Sequence, residues 1–268
     1  MQKKPIIIIS VLCVISLVLG YLSGLKEEES LSNGDAETDS KKEPEFLKEG
    51  LVAYYPFNGN AKDESGNGND GEVNGAILDT DRMGNNAQSF VFDGEDDYIE
   101  IPNSNLLDLG SEANKELSIS LWASVREIKE NGSMFHVFKG FAEGSPNTDY
   151  SISLDNSILG WRTGPSAVAG GDSNSDLCYK SQIGVDSWHN IVVTFRNSGN
   201  PLKCIYLNGE LLIKGLVGAK NESRVGVLRI GSELARGFWN GNIDDIRIYN
   251  RALSAEEVKA LYEFEKAN

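Results

Sequence analysis

Short runs that alternate between apolar and polar residues dominate this chain from about residue 50 to its end. In residues 117–125, every second side chain from Leu117 onward is apolar, so that one face of a strand would be apolar. Residues 188–195 are apolar on nearly both faces, as in a central strand. Asn208 and Gly209, between two further runs, predict a hairpin because both residues tolerate positive φ. The number of predicted strands is too large for one open sheet. The pattern therefore predicts an all-β fold of two packed antiparallel sheets.

The strongest helix signal lies near the end of the sequence. Ser254 can accept a hydrogen bond at a helix N-terminus, and Glu257, three residues later, completes a capping box. The sequence therefore adds one short C-terminal helix to the predicted sandwich.

The first 25 residues predict export from the cytoplasm. Lys3 and Lys4 form a basic head, and residues 6–25 are almost free of polar side chains. The apolar run is about 20 residues long, which is also the length that spans a bilayer. A cleaved signal peptide, ending at Gly20, and a retained membrane anchor are therefore both open. Either one places the rest of the chain outside the cytoplasm, secreted or anchored by its N-terminal segment.

Residues 26–48 are rich in Glu, Asp, Ser and Lys, and they predict an acidic, disordered linker. Residues 49–268 keep one character throughout and predict a single domain. The formal net charge of −15 argues against nucleic acid and anionic membrane surfaces as partners, because both attract Lys and Arg. We therefore expect contact with a membrane through the N-terminal segment alone.

The last predicted strand places one charged residue on its inward face. If Ile246 and Ile248 face the core, the two-residue period of a strand puts Asp244 on the same inward face. Asp245 and Arg247 then share the outer face. A carboxylate at the edge of an apolar layer must be hydrogen-bonded, paired or bound to a cation. Asp244 is therefore a candidate ion ligand.

The loop from residue 58 to residue 71 is dense in oxygen donors. Asp63, Ser65, Asn67 and Asn69 stand at alternate positions, as in the calcium loop of an EF-hand, although the closing Glu of such a loop is missing. A turn-rich loop that uses Asn and Gly for left-handed conformations is the alternative interpretation.

Six motifs stand in one order along the predicted domain, at residues 51–57, 63–71, 90–101, 188–192, 205–209 and 241–246. Together they resemble the laminin-G-like, concanavalin A-like jelly-roll domains of bacterial surface proteins, which are relatives of the pentraxins. The resemblance implies a two-sheet jelly-roll sandwich that is used mostly for binding and often carries calcium. It implies a structural ion near the first loop and the last strand, so Asp63 and Asp244 are predicted to share a calcium ion. Asp93, in an Asp-Gly turn, is a third candidate ligand.

The resemblance to pentraxins also implies positions for a bound ligand. Asp149 and Glu233 stand where pentraxins place acidic groups, although a solvated loop Asp and Glu would look the same. Trp161 and Trp239 stand near glycines in turn-rich segments, where exposed rings would stack on sugars. Filling of the sandwich core is the alternative role for both tryptophans.

The segment from Glu95 to Glu100 has the spacing E-x-D-x-x-E, which resembles the catalytic strand of laminarinase-type glucanases. Asp96 stands where such a strand needs an apolar residue, and Gly94 precedes the segment as a turn. We interpret it as an acidic turn that enters a strand. The two histidines lie in no known catalytic motif, and we predict no catalytic centre.

Cys178 and Cys204 lie in strand-like runs on either side of residues 188–195. An oxidising compartment favours a disulfide between them, with two buried thiols as the alternative. The sequence as a whole predicts an exported, non-catalytic module with a structural calcium ion and a glycan as its ligand. A protein–protein adhesion or scaffold module is the first alternative, and a laminarinase-like glycoside hydrolase is the second.

Overall fold

The structure is a computed structural model, and it describes residues 43–109, 116–128, 133–140, 148–163, 176–197, 200–216, 226–233 and 237–268. The predicted export segment, residues 1–25, and most of the predicted linker lie outside this part of the chain. Within the described ranges, no helix is both long and apolar enough to cross a membrane.

The described residues contain fifteen strands, one 3₁₀-helix and one α-helix. The 3₁₀-helix covers Glu45–Leu47, and the α-helix, α1, covers Ala255–Glu265. In chain order, the strands are β1 (Leu51–Tyr55), β2 (Glu72–Asn74), β3 (Ile77–Asp79), β4 (Ser89–Asp93), β5 (Tyr98–Ile101), β6 (Leu117–Val125), β7 (Ser133–Gly140), β8 (Thr148–Asp155), β9 (Ile158–Thr163), β10 (Asp176–Lys180), β11 (Trp188–Arg196), β12 (Leu202–Leu207), β13 (Glu210–Leu216), β14 (Val227–Ile230) and β15 (Asn240–Tyr249).

The strands form two sheets. The first sheet has eight strands in the order β13-β12-β11-β6-β15-β4-β3, and β1 pairs with the C-terminal half of β15. The second sheet has seven strands in the order β10-β9-β8-β7-β14-β5-β2. Neighbouring strands within each sheet are antiparallel. The predicted antiparallel jelly-roll sandwich with a short C-terminal helix is confirmed.

The main core lies between the two sheets. Alternate residues of β6, beginning at Leu117, point into this core, as the sequence pattern predicted. β11 is apolar on both faces because Val193 belongs to the main core and Val192 packs on the outer face of the sheet. Asn208 and Gly209, with φ values of 52° and 78°, form the predicted turn between β12 and β13. These predictions are therefore confirmed.

A second apolar cluster lies on the outer face of the first sheet, where α1 packs. The predicted capping box is present at the start of α1, between Ser254 and Glu257. Leu47 of the 3₁₀-helix is fully buried in this cluster. The cluster contains Leu47, Val192, Cys204, Tyr206, Tyr249, Leu253, Val258 and Leu261.

The predicted disulfide between Cys178 and Cys204 is absent. Cys204 belongs to the cluster on the outer face of the first sheet. Cys178 is exposed on β10 of the second sheet, where the adjacent Leu177 points into the main core. The two sulfurs therefore lie on opposite outer faces of the sandwich. Because packed sheets are about 10 Å apart and a disulfide joins Cα atoms within about 7 Å, this placement rules out the bond.

Candidate functional site

A polar cavity of about 360 Å³ lies beside the outer face of the first sheet, next to the C-terminal end of α1. The loop after β1, the β3–β4 hairpin, the middle of β15 and the end of α1 supply most of its walls. The lining residues are Glu43, Tyr54, Pro56, Asn58, Asp81, Arg82, Asn85, Gln88, Asp244, Asp245, Arg247, Phe264, Glu265 and Asn268.

A β-bulge in β15 directs its acidic residues towards this cavity. The register between β15 and β6 shifts between Asp244 and Arg247, and Asp245 has a left-handed φ of 46°. The extra residue lets Ile243 and Ile246 both face the main core. Asp244 is thereby turned to the outer face. Its predicted inward position is wrong, because the prediction assumed an uninterrupted two-residue period.

Arg82, from the β3–β4 hairpin, pairs with both carboxylates of the bulge. Its Nη1 lies 2.9 Å from Asp244 Oδ2 and 2.8 Å from Asp245 Oδ2. Its Nη2 donates to the backbone carbonyl of Glu265 at 2.7 Å. The guanidinium also lies 4.5 Å from the centroid of the Trp122 ring. Asp244 therefore has a cationic partner, as its burial requires, and this partner is an arginine.

Arg247 and Glu265 form a second buried ion pair at the cavity. Arg247 Nε donates to Glu265 Oε1 at 2.9 Å, and each side chain is only 3% exposed. The other carboxylate oxygen of Glu265 accepts from Trp122 Nε1 at 2.8 Å. Arg247 also lies 3.8 Å from the centroid of the Tyr54 ring and donates to Glu43 at 2.9 Å. These contacts hold the end of α1 against the first sheet.

The crowding of acids around two arginines raises the pKa of the buried carboxyl groups. Burial, and then repulsion from Asp245, raises the pKa of Glu265 to about 7, although Arg247 opposes this change. Burial and Asp245 also raise the pKa of Asp244, with Arg82 in opposition. Perturbed pKa values occur at functional sites and in structural ion-pair networks alike. They mark the cavity as a candidate site without assigning it a reaction.

The raised pKa of Glu265 predicts a pH-dependent stability. The folded state binds this proton more tightly than the unfolded state, so the contribution is complete below about pH 4 and is lost as the pH rises through about 7. We expect the unfolding free energy of wild type, relative to Glu265→Gln, to fall between about pH 5 and about pH 8 in urea titrations. The Glu210→Gln variant, which changes a glutamate that is 78% exposed, is the surface control. A difference that is constant with pH for Glu265 would contradict the raised pKa.

Asp63 organises the loop that follows β1. Its Oδ1 accepts from the backbone N–H groups of Tyr54 at 3.0 Å and Ser65 at 2.9 Å, and its Oδ2 accepts from that of Asn69 at 2.9 Å. Burial raises the pKa of Asp63, but these hydrogen bonds outweigh burial and hold the pKa below its usual value. Asp63 and Asp244 are thus engaged by different partners, and their sharing of a calcium ion stays a prediction.

The turn between β4 and β5 carries the third predicted calcium ligand, Asp93. One carboxylate oxygen from each of Asp93, Asp96 and Asp97 lies within 4.8 Å of the other two. Burial raises the pKa of Asp97, and the charges of Asp93 and Asp96 add to this effect. Oxygens at this spacing fit the Ca²⁺–O distances of about 2.3–2.6 Å that proteins use. This turn is therefore a candidate calcium site among the described residues.

The two predicted sugar-stacking residues, Trp161 and Trp239, lie in the main core. Trp161 occupies an inward position of β9, so that its neighbour Gly160 belongs to a strand and not to a turn. Trp239 packs against His136, with the ring centroids 4.0 Å apart. Both indoles are buried. The prediction of an exposed stacking platform is therefore wrong, and the alternative, core filling, describes both residues.

The two acidic residues proposed for the same surface are also not exposed together. Asp149 is buried on β8, which excludes the direct ligand contact predicted for it. Glu233 is half-buried shortly after β14, and its role in binding stays a prediction.

The acidic segment after Gly94 is a turn that enters a strand, as interpreted from the sequence. Glu95 is exposed in the turn, whereas Glu100 lies on β5 and accepts from Arg229 Nη2 at 2.7 Å. Because the two glutamates do not share a strand, the segment does not present the paired carboxylates of a retaining glycosidase.

Sequence analysis missed two central residues of the cavity, Arg82 and Glu265. Glu265 had a detectable signal, since it continues the buried stripe of α1 that begins with Val258 and Leu261. Arg82 had none, because the groups to which it donates hydrogen bonds are 162 residues or more away along the chain.

The two-sheet sandwich, with its helix on one outer face, defines a jelly-roll domain of the concanavalin A-like type. Residues 93–259 match the family model of the concanavalin A-like lectin/glucanases superfamily, and the chain belongs to this superfamily. The predicted resemblance to laminin-G-like, concanavalin A-like domains is thereby confirmed. Curated protein sequences contain no match.

Several solved structures share the fold. Domain 4 of AbnA, an extracellular arabinanase from Geobacillus stearothermophilus, in complex with arabinotriose, has a TM-score of 0.55 and 21% identity, covering 79% of this chain and 98% of that one. The binding domain of botulinum neurotoxin DC in complex with SialylT has a TM-score of 0.60 and 15% identity, with coverages of 81% and 52%. The same toxin domain in complex with rat synaptotagmin II has a TM-score of 0.60 and 16% identity, covering 81% of this chain and 52% of that one. The chain thus spans about half the length of the toxin domains.

Proposed function

We propose that the chain is an exported, non-catalytic module that binds a glycan in the polar cavity beside α1. The observation that carries this proposal is the cavity itself. Ligand pockets have volumes of about 300–1,000 Å³, and this cavity, at about 360 Å³, is of the size for a small ligand such as one sugar unit. Its lining combines amides, carboxylates and guanidiniums, which donate and accept hydrogen bonds as sugar hydroxyls require.

The shape of the cavity is fixed before a ligand arrives. Arg82 and Arg247 are each held by carboxylates and by an aromatic ring, and both are almost fully buried. Preorganised groups reduce the ordering cost of binding. Pro56 and Phe264 add apolar surface to the lining, against which the C–H face of a sugar ring can pack. The arrangement favours recognition of a small polar molecule.

The structural relatives support a binding role. One relative was solved with arabinotriose, and the toxin domain was solved with SialylT and with rat synaptotagmin II. We therefore propose a glycan as the principal ligand of the chain. A protein partner, in an adhesion or scaffold role, is the alternative. Binding by one sugar unit should be weak, and several copies on a surface would compensate through multivalency.

The partners of the cavity carboxylates argue against catalysis. A retaining glycosidase needs an acid and a nucleophile about 5 Å apart, both facing the substrate. Asp244 is ion-paired to Arg82, and Glu265 is ion-paired to Arg247 and hydrogen-bonded to Trp122. Neither carboxylate is placed to attack a glycosidic carbon. Release of reducing sugar by the purified chain from a polysaccharide panel would contradict this part of the proposal.

A glycan array probed with the full chain tests the binding role. We expect binding that falls at least about tenfold in an Asn58→Ala, Gln88→Ala double variant, because each amide supplies hydrogen bonds worth about 0.5–1.5 kcal/mol. Both side chains line the cavity, and no hydrogen bond from either amide to another described residue is observed. The control, Asn74→Ala, changes an amide outside the cavity lining. Equal binding by the double variant, or no binding by wild type, would contradict the proposal.

We also propose that the domain binds calcium at the turn formed by Asp93, Asp96 and Asp97. Calcium would tie β4 to β5 and offset the repulsion among three close carboxylates. The same repulsion contributes to the raised pKa of Asp97, and a bound cation would relieve it.

Calcium should raise the melting temperature of wild type. At a concentration 100 times the Kd, a bound ion stabilises the folded state by about 2.7 kcal/mol. The Asp96→Asn variant should lose most of this response, because one of three charged ligands is removed. Asp63→Asn, which changes the originally predicted ligand, serves as the control and should respond as wild type does. A wild-type melting curve that calcium leaves unchanged would exclude the ion.

Export is the third part of the proposal, and it is supported by the basic head and apolar run of residues 1–25. Protease added to intact cells is expected to digest the domain. Full protection of residues 43–268 in intact cells, with digestion after lysis, would contradict this location.

A further inference from the structure

We propose that the polar cavity selects an uncharged sugar and rejects acidic sugars such as uronates and sialic acids. This inference rests on the proposed glycan-binding function and adds the chemical class of the ligand. It follows from two properties of the cavity: an excess of carboxylates, and ion pairs that commit both arginines to those carboxylates.

The first property is charge. Five carboxylate side chains line the cavity, against two guanidiniums, so the lining carries an excess of negative charge; the five are Glu43, Asp81, Asp244, Asp245 and Glu265. Asp244 and Glu265 are each only 3% exposed, which lowers the screening by water. A ligand carboxylate would enter a site that repels it.

The second property is the commitment of the arginines. Recognition of a ligand carboxylate usually relies on the free fork of a guanidinium, which offers two parallel N–H donors. Here Arg82 directs its terminal nitrogens to Asp244, Asp245 and the backbone carbonyl of Glu265. Arg247 directs its Nε to Glu265 and its Nη1 to Glu43. Neither fork is open to an anion without breaking an ion pair.

Matched pairs of monosaccharides test the selectivity of the full chain. The methyl glycosides of glucose, galactose and mannose are each compared with the corresponding uronate by NMR titration at about pH 8, above the raised pKa of Glu265 of about 7. We expect at least one neutral sugar to bind at least about tenfold more tightly than its uronate, because a like charge is brought among close carboxylates.

A charge variant connects the selectivity to the cavity. Removing two rim charges with Glu43→Gln and Asp81→Asn retains an acceptor oxygen at each position. It should reduce the neutral-to-uronate ratio by at least about threefold. Glu210→Gln, which removes a charge from the exposed surface of β13, is the matched control and should leave the ratio unchanged.

The outcomes distinguish this inference from the function on which it rests. Uronates that bind as tightly as neutral sugars, or a ratio that the rim variant does not change, would each overturn the selectivity and leave glycan binding in place. Loss of selectivity together with sugar binding that persists in Asn58→Ala, Gln88→Ala would place the sugar elsewhere and overturn the inference. Failure of every sugar and of a glycan array to bind would overturn the proposed function itself.

Discussion

Replacing Arg247 with methionine is expected to lower the unfolding free energy by about 3–5 kcal/mol at about pH 8. The side chain is 3% exposed, and its removal leaves the equally buried carboxylate of Glu265 without its partner at 2.9 Å. The packing of the guanidinium on Tyr54 is lost as well. An uncompensated buried charge is costly because water cannot replace the missing cation.

The exposed pair between Lys259 and Glu210 provides the matched control. Its atoms lie 3.9 Å apart and its side chains are 64% and 78% exposed, so Lys259→Met should cost less than about 1 kcal/mol. Equilibrium unfolding in urea measures both variants. Adding Glu265→Gln to Arg247→Met should restore part of the loss, because it removes the stranded charge. Equal stabilities of Arg247→Met and Lys259→Met would show that the buried pair does not hold α1 in place.

The same variant should be less destabilised in mild acid. The raised pKa of Glu265 lets the carboxyl group take up a proton near pH 6, and a neutral carboxyl needs no cation. The stability difference between wild type and Arg247→Met is therefore expected to narrow as the pH falls from about 8 to about 5. A difference that grows on acidification would contradict the proposed charge state.

Sequence patterns predicted those parts of the fold that depend on neighbouring residues. The alternation in β6 and the two apolar faces of β11 follow from strand geometry. Backbone requirements within four residues predict both the turn at Asn208 and Gly209 and the capping box at Ser254. Each of these rules is local, and each prediction was confirmed.

The candidate site depends on contacts that no local rule supplies. One left-handed residue, Asp245, reverses the face that Asp244 occupies, and a bulge leaves no fixed signature in the sequence. Trp161 was misplaced because a glycine beside it was interpreted as a turn, whereas it lies within β9. Arg82 reaches the site from a distant hairpin. The charge of Asp244 did indicate a cationic partner, but the sequence did not distinguish an arginine from calcium.

Replacing Gly241 with alanine should be the most damaging small substitution in β15. An added Cβ would lie 2.0 Å from the carbonyl oxygen of Ser124 in β6, and the φ of 146° is one that residues with a side chain rarely adopt. Both the clash and the strain act on backbone atoms, which cannot move aside as a side chain can. We expect a loss of about 3–5 kcal/mol in urea unfolding.

Gly84 separates the steric effect from the conformational one. Its φ of 88° is also positive, but nothing lies within 4 Å of an added Cβ, so Gly84→Ala should cost only about 1–2 kcal/mol. Gly241 pairs with Phe92 in β4 and with Val125 in β6, just ahead of the bulge that orients Asp244. A shift of β15 at this point should therefore move the cavity carboxylates and weaken sugar binding in molecules that still fold. Similar stabilities of the two alanine variants would show that the close approach of β15 to β6 is not required, and the rigid placement of the cavity would lose its structural basis.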